Sequence, residues 1–205
     1  MKHKATISFF LIGAISMIAM STHYFLKEGS GILGSKPAAD SWWYLIAFRT
    51  HVGFGLVAIS TGPFQLIPRL RQQKPSLHKQ LGYLYFLSVI LSSLAGVLVA
   101  PFSMGGWITH LGFSVLGILW FSTTVCSLCF ILRGDVPRHQ RWTFYSFALT
   151  FAAITQRTLL LIPLLTNCPF MPIYQLSAWL PWLFNLWIAW WVFHRQITKQ
   201  DADLV

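Results

Sequence analysis

Residues 50–59 read THVGFGLVAI, and residues 109–118 read THLGFSVLGI. Five of the ten positions are identical (Thr, His, Gly, Phe, Ile), and the other five exchange similar side chains. A segment that returns in one chain marks a repeated structural unit. The flanks agree. After each copy an apolar run leads to a basic stretch, then to a Pro, a His and a new apolar run: Pro75-Ser-Leu-His78 after the first, Pro137-Arg-His139 after the second. The offsets are 110 − 51 = 59 and 139 − 78 = 61 residues, so a two-helix unit occurs twice in the same orientation.

The surrounding composition says where such a unit lives. Of the 205 residues 55% are hydrophobic and only 10% charged, with 10 Trp and 17 Phe, which excludes an ordinary soluble domain. Apolar segments of the roughly 20 residues needed to span a bilayer run over 5–26, 42–67, 77–102, 106–132, 141–165 and 176–197. The first follows Met1-Lys2-His3-Lys4. It is long for the apolar part of a signal peptide and lacks a small-residue cleavage site, so it reads as an uncleaved helix. The expectation is an all-α, polytopic integral membrane protein with six transmembrane helices in a single domain, 1–205. The second to fifth helices, 42–165, form a central four-helix bundle built from the duplicated unit. Helices 1–26 and 176–197 are peripheral.

The 15 Lys and Arg orient it. Lys2, Lys4, Arg69, Arg71, Lys74, Lys79, Arg133, Arg138, Arg141, Arg195 and Lys199 fall on one side, Lys27 and Lys36 on the other, and Arg49 and Arg157 within helices. Eleven against two predicts, by the positive-inside rule, that both termini are cytoplasmic. The net charge of +10 is therefore a topology signal, compatible with anionic lipid, and no nucleic-acid partner is expected.

Four histidines carry the chemistry. His51 and His110 begin descending helices and His78 and His139 begin ascending ones, which places two at each face of the membrane. Inward-facing His on a four-helix bundle is a common way to hold a cofactor. The residue four positions on, which shares the His face, is small each time: Gly55, Gly82, Ser114 and Thr143. Ala47 and Ala58 flank His51, and Gly106 and Gly117 flank His110, at equivalent positions. Small residues also serve plain helix packing, but that does not account for four His on matching faces. All five acids (Glu28, Asp40, Asp135, Asp201, Asp203) lie outside the spans. Each level thus offers two imidazoles and no carboxylate. That serves zinc poorly and suits haem iron, which needs only two axial ligands. The expectation is two haem b groups per chain, His51 paired with His110 and His78 with His139, these four being the metal ligands.

This arrangement resembles, in architecture over about residues 42–165, the transmembrane dihaem cytochromes of the cytochrome b-561 kind. In sequence the chain resembles a bacterial membrane family, domain-of-unknown-function family 2306. The resemblance is carried by His51 with Gly53, Gly62-Pro63-Phe64-Gln65, His78 with Gly82 and Tyr85, Gly134-Asp135 with His139, and Arg157. It implies a multi-pass protein of the bacterial inner membrane and no particular activity.

Three polar residues accompany the His. Arg157 lies 18 residues, five turns, beyond His139 on the same face and about 27 Å higher. It either clamps propionates or an anionic substrate near the outer His pair, or snorkels to the surface. Arg49 is about 200° round the helix from His51, and either snorkels or bends to a propionate. Gln65 lies about 40° off the His51 face, level with His78 and His139. It hydrogen-bonds a haem or quinone, or satisfies backbone freed by Pro63 and Pro68. Cys126 and Cys129 form a CxxC late in a helix, where no helix N-terminus lowers a thiol pKa, and read as packing residues. Cys168 stands alone in an outer loop. His3, His23 and His194 read as interfacial. The uncharged connection TNCPFMPIYQLS (166–177) reads as a loop able to cover the outer site or dock a partner. The Trp-rich last helix suits lipid or a partner protein.

The leading expectation is transmembrane electron transfer, oxidoreductase-like, through the two haems. The electron partner would be a quinone, a ferric or other small redox substrate, or a membrane or periplasmic redox protein. The alternatives are a small-molecule or proton transporter and a non-catalytic membrane partner subunit, both without haem.

Overall fold

The computed structural model describes residues 2–22, 25, 38 and 41–202. His23, Lys27, Glu28, Lys36, Asp40 and Asp203 lie outside the described residues. The elements are α1 (Lys2–Ser21), α2 (Trp42–Gln65), α3 (Pro68–Gln73), α4 (Pro75–Val99), a 3-10 turn (Ala100–Phe102), α5 (Trp107–Leu132), α6 (Val136–Leu159), α7 (Leu161–Leu165), α8 (Phe170–Ser177) and α9 (Leu180–Ala202). Among the described residues five stretches are long and apolar enough to cross a membrane: Trp42–Gln65, Pro75–Phe102, Trp107–Leu132, Val136–Leu165 and Phe170–Arg195. In α1 the shorter stretch Ile12–Ser21 is apolar. The expected loop 166–177 is corrected: most of it folds as α8, whose Tyr174 and Ser177 are buried.

Local chemistry sets the helix ends. Pro68 and Pro75 open α3 and α4, where the missing N–H costs nothing. Between α5 and α6 the chain reverses at Gly134, whose φ of 76° favours glycine. The Asp135 N–H then bonds back to the Phe130 carbonyl at 2.9 Å, and the Asp135 carboxylate accepts the Arg138 N–H at 3.0 Å to cap α6.

α2 packs along α4, α4 on α5, α5 on α6, and α6 meets α2, while α9 packs on α6 and α1 on α2. The interior departs from the soluble pattern. Ser88, Ser92, Ser93, Thr124, Ser127, Ser146 and Thr150 are buried, while Leu87, Leu98, Ile118, Leu132 and Trp187 are more than half exposed. That is what a hydrocarbon solvent asks for: apolar side chains outward, small and hydroxyl residues between the helices. At the centre, Tyr85, Phe86, Val89, Trp120, Phe147 and Leu149 form the main apolar core.

A hydroxyl cluster lies within it. The fully buried Tyr85 OH meets Ser146 Oγ at 2.8 Å and Thr150 Oγ1 at 2.9 Å. Ser146 Oγ meets Thr124 Oγ1 at 2.7 Å, and Trp120 Nε1 donates to Thr150 Oγ1 at 2.8 Å. Thr150 and Thr124 also reach the carbonyls of Ser146 and Trp120. Four hydroxyl hydrogens thus serve five hydroxyl contacts.

Candidate functional site

Two of the cavities lined by the described residues lie towards opposite ends of the bundle. The one at the basic end, about 650 Å³ in volume, is lined by His78 and His139 together with Gln65, Arg71, Lys79, Gly82 and Thr143. His78 comes from the first turn of α4 and His139 from the first turn of α6. Each is brought there by the Pro-containing helix start that precedes it. The expectation that these two His and Gln65 share one level is met by their geometry. Gln65 reaches from the end of α2 towards the His78 carbonyl at 3.5 Å, and a Cβ at Gly82 would stand 3.2 Å from its Oε1.

The two rings differ in their partners. His139 Nδ1 donates to the Ser127 carbonyl on α5 at 3.0 Å, while Ser127 Oγ donates to the His139 carbonyl at 3.2 Å and lies 2.6 Å from Thr143 Oγ1. A carbonyl only accepts, so Nδ1 carries the hydrogen and Nε2 the lone pair of the neutral ring. His78 Nδ1 is buried and has no hydrogen-bond partner among the described residues.

The second cavity, about 620 Å³, lies at the opposite end and is lined by His51, Gly55, Gly96, Gly117, Trp120, Thr150 and Arg157, among others. His51 is held by the same clasp as His139. Its Nδ1 donates to the Ser92 carbonyl on α4 at 2.9 Å, and Ser92 Oγ donates to the His51 carbonyl at 2.7 Å. This approach needs Gly96, one turn beyond Ser92: a Cβ there would stand 2.8 Å from His51 Nδ1. Arg157, at the end of α6, shares the cavity and donates to the Ala153 carbonyl at 3.0 Å. It is therefore brought to the His51 level, as its five-turn offset from His139 predicts.

His110 is not brought to this cavity. Its Nε2 donates to the Ser103 carbonyl at 2.9 Å, across the turn that precedes α5. There it joins a set of braces: Ser103 Oγ donates to Thr109 Oγ1, Thr109 Oγ1 contacts the Met104 carbonyl, Gln175 donates to Gly105 and Trp179 to Ile108. Arg49 is half-buried and lines neither cavity. Cys126, Cys129 and Cys168 are free thiols, and Cys168 lines the His51 cavity.

Some lining residues escaped the sequence reading: α1 supplies Met17, Met20 and Ser21 to the wall, while Phe170 and Tyr174 of α8 come from the connection expected to be able to cover the outer site. The described part of α1 that lines the cavity has no titratable residue, so no pattern marked it. Gly96 was detectable only by knowing which carbonyl His51 seeks. No group of three or more His, Cys, Asp or Glu placed to hold a metal ion occurs among the described residues. A macrocycle that brings its own equatorial donors asks for only two.

A family model described as "Predicted membrane protein (DUF2306)" matches residues 48–193, which include all four His, Gln65 and Arg157. Neither the curated proteins nor the solved structures contain a match to the chain.

Proposed function

The chain belongs to this family of predicted membrane proteins (DUF2306), and we propose that it is a membrane electron carrier holding haem b between His78 and His139. One observation carries the reading: two imidazoles from different helices line a single cavity of about 650 Å³, within the roughly 300–1,000 Å³ of cofactor pockets. The donor set fits the group. His139 is locked with Nε2 as its lone-pair nitrogen, His78 carries an orphaned buried nitrogen, and Arg71 and Lys79 on the cavity wall suit propionates. Bound there, haem would supply one-electron redox chemistry. His78 and His139 would hold the group, the largely apolar lining would surround it, and Gln65 lines the same cavity.

The wider frame goes with this reading. We take α1 as a sixth span, α2, α4, α5 and α6 as a four-helix bundle of two related hairpins, and the basic end as cytoplasmic, in a bacterial inner membrane. The expected second haem, on His51 and His110, is not carried forward, because His110 lies off the His51 cavity. The test is the visible spectrum of the detergent-purified protein, oxidised and then reduced with dithionite, with haem measured per chain. A b-type spectrum with one haem per chain is expected. A colourless protein from haem-replete cells overturns the reading.

A further inference from the structure

We propose that the His51 cavity is a binding site for a lipid-soluble quinone or quinol, the electron partner implied by the haem reading on which this inference rests. The cavity combines a few polar side chains with a mostly apolar lining. Ser21, His51 and Arg157 line it from three different helices, α1, α2 and α6. Ser21 supplies the independent sign of a ligand: it is fully buried, lines the cavity, and its Oγ has no hydrogen-bond partner among the described residues. An unmet hydroxyl in a protein interior costs free energy, and a ligand oxygen would meet it. His51, clasped to Ser92 through Nδ1, adds an imidazole to the same lining, a group whose chemistry suits a quinol O–H. Arg157 and Ser21 offer N–H and O–H to a quinone carbonyl.

The shape and rim choose among ligands. Gly55, Gly96 and Gly117 border the cavity from three helices and let those helices close in around it, since a Cβ at each would meet Ser92, His51 or Val97. Met20, Leu161, Leu164 and Phe170 line it and are also exposed, at 48, 41, 76 and 39%. On a membrane-spanning protein such a rim faces hydrocarbon, so the described rim favours a ligand arriving from the bilayer. A head carrying oxygens for the three polar side chains, with an apolar tail for the rim, fits both features. Haem does not, since one imidazole alone lines this cavity among the described residues.

The experiment titrates the purified protein in lipid nanodiscs with decylubiquinone and its reduced form. It reads quenching of Trp fluorescence, Trp120 being on the cavity wall, and haem per chain is measured on the same samples. Saturable binding by the unaltered protein is expected, about tenfold weaker in Ser21→Ala, as loss of one hydrogen bond implies, with haem content unchanged. Arg157→Gln should weaken binding further. Overturning results are no saturable binding, equal affinity in Ser21→Ala, equal competition by dodecanoate, or a second haem lost in His51→Ala. Haem without quinone binding removes this site alone. Quinone binding to a haem-free chain removes the electron-carrier reading and leaves the site.

Discussion

His51 and His110 occupy the same place in the repeated decapeptide, yet they do different things. His51 donates through Nδ1 to the carbonyl of Ser92 on a neighbouring helix and lines a cavity. His110 donates through Nε2 to Ser103, seven residues back, and braces a turn. The histidine that copies His51 is His139, at the other end of the bundle and in the other half of the repeat. Each of these two lies in the first half of a helix that runs antiparallel to a partner carrying a Ser in its second half: Ser92 on α4, Ser127 on α5. The environment of a histidine is thus set by the hairpin partner beside it, and the ten residues around it specify only its depth. His110 sits instead beside a turn with two glycines at positive φ, Gly105 and Gly106, whose open carbonyls need donors.

This contrast can be broken most decisively at the proposed haem site. His78→Ala and His139→Ala should each abolish nearly all bound haem by pyridine haemochrome, and His110→Ala should keep it. Loss of haem in His110→Ala would restore equivalence between the two repeat histidines.

The next largest effect is at Gly96. In Gly96→Val the new Cβ alone would lie 2.8 Å from His51 Nδ1, so the clasp must open or the helices part. Overpacking of this kind costs about 1–3 kcal/mol, read as a lowered unfolding midpoint in detergent. An unchanged midpoint would mean that the clasp on His51 is loose.

His110→Ala removes one bond from a turn that Thr109, Gln175 and Trp179 still hold. The expected cost is about 1 kcal/mol, confined to faster amide exchange around residues 103–110. Exchange spreading to α2 would show that His110 supports the cavity after all.

The smallest effect is expected at Tyr85, despite its complete burial. Tyr85→Phe takes away one hydrogen and two contacts from the hydroxyl cluster, leaving three hydrogens for three contacts. No donor is stranded, so the cost should stay near the roughly 0.6 kcal/mol typical of buried membrane hydrogen bonds. A cost above about 2 kcal/mol would mean that the cluster acts as one cooperative unit.

Helix positions and the basic loops were legible in the sequence because both follow from runs of like residues. The company of His78, His139 and Gln65, and of His51 with Arg157, was legible because helical periodicity gives depth and face together. What stayed hidden depends on contact between distant segments. Nothing near Ser21 announces that α1 walls a cavity, and 166–177 reads as a loop because Pro169 and Pro172 mask the start of α8. The fate of His110 turned on a single choice between a cavity and a carbonyl, which a one-letter code does not record.

The clasp has a consequence for how such a protein can drift. The ring nitrogen of His51 or His139 that carries the hydrogen is chosen by a main-chain carbonyl, and every amino acid brings one. A codon change at position 92 or 127 can delete the hydroxyl but not the acceptor. The tautomer is thereby inherited with the helix path, shielded from the substitutions that reshape the side chains around it.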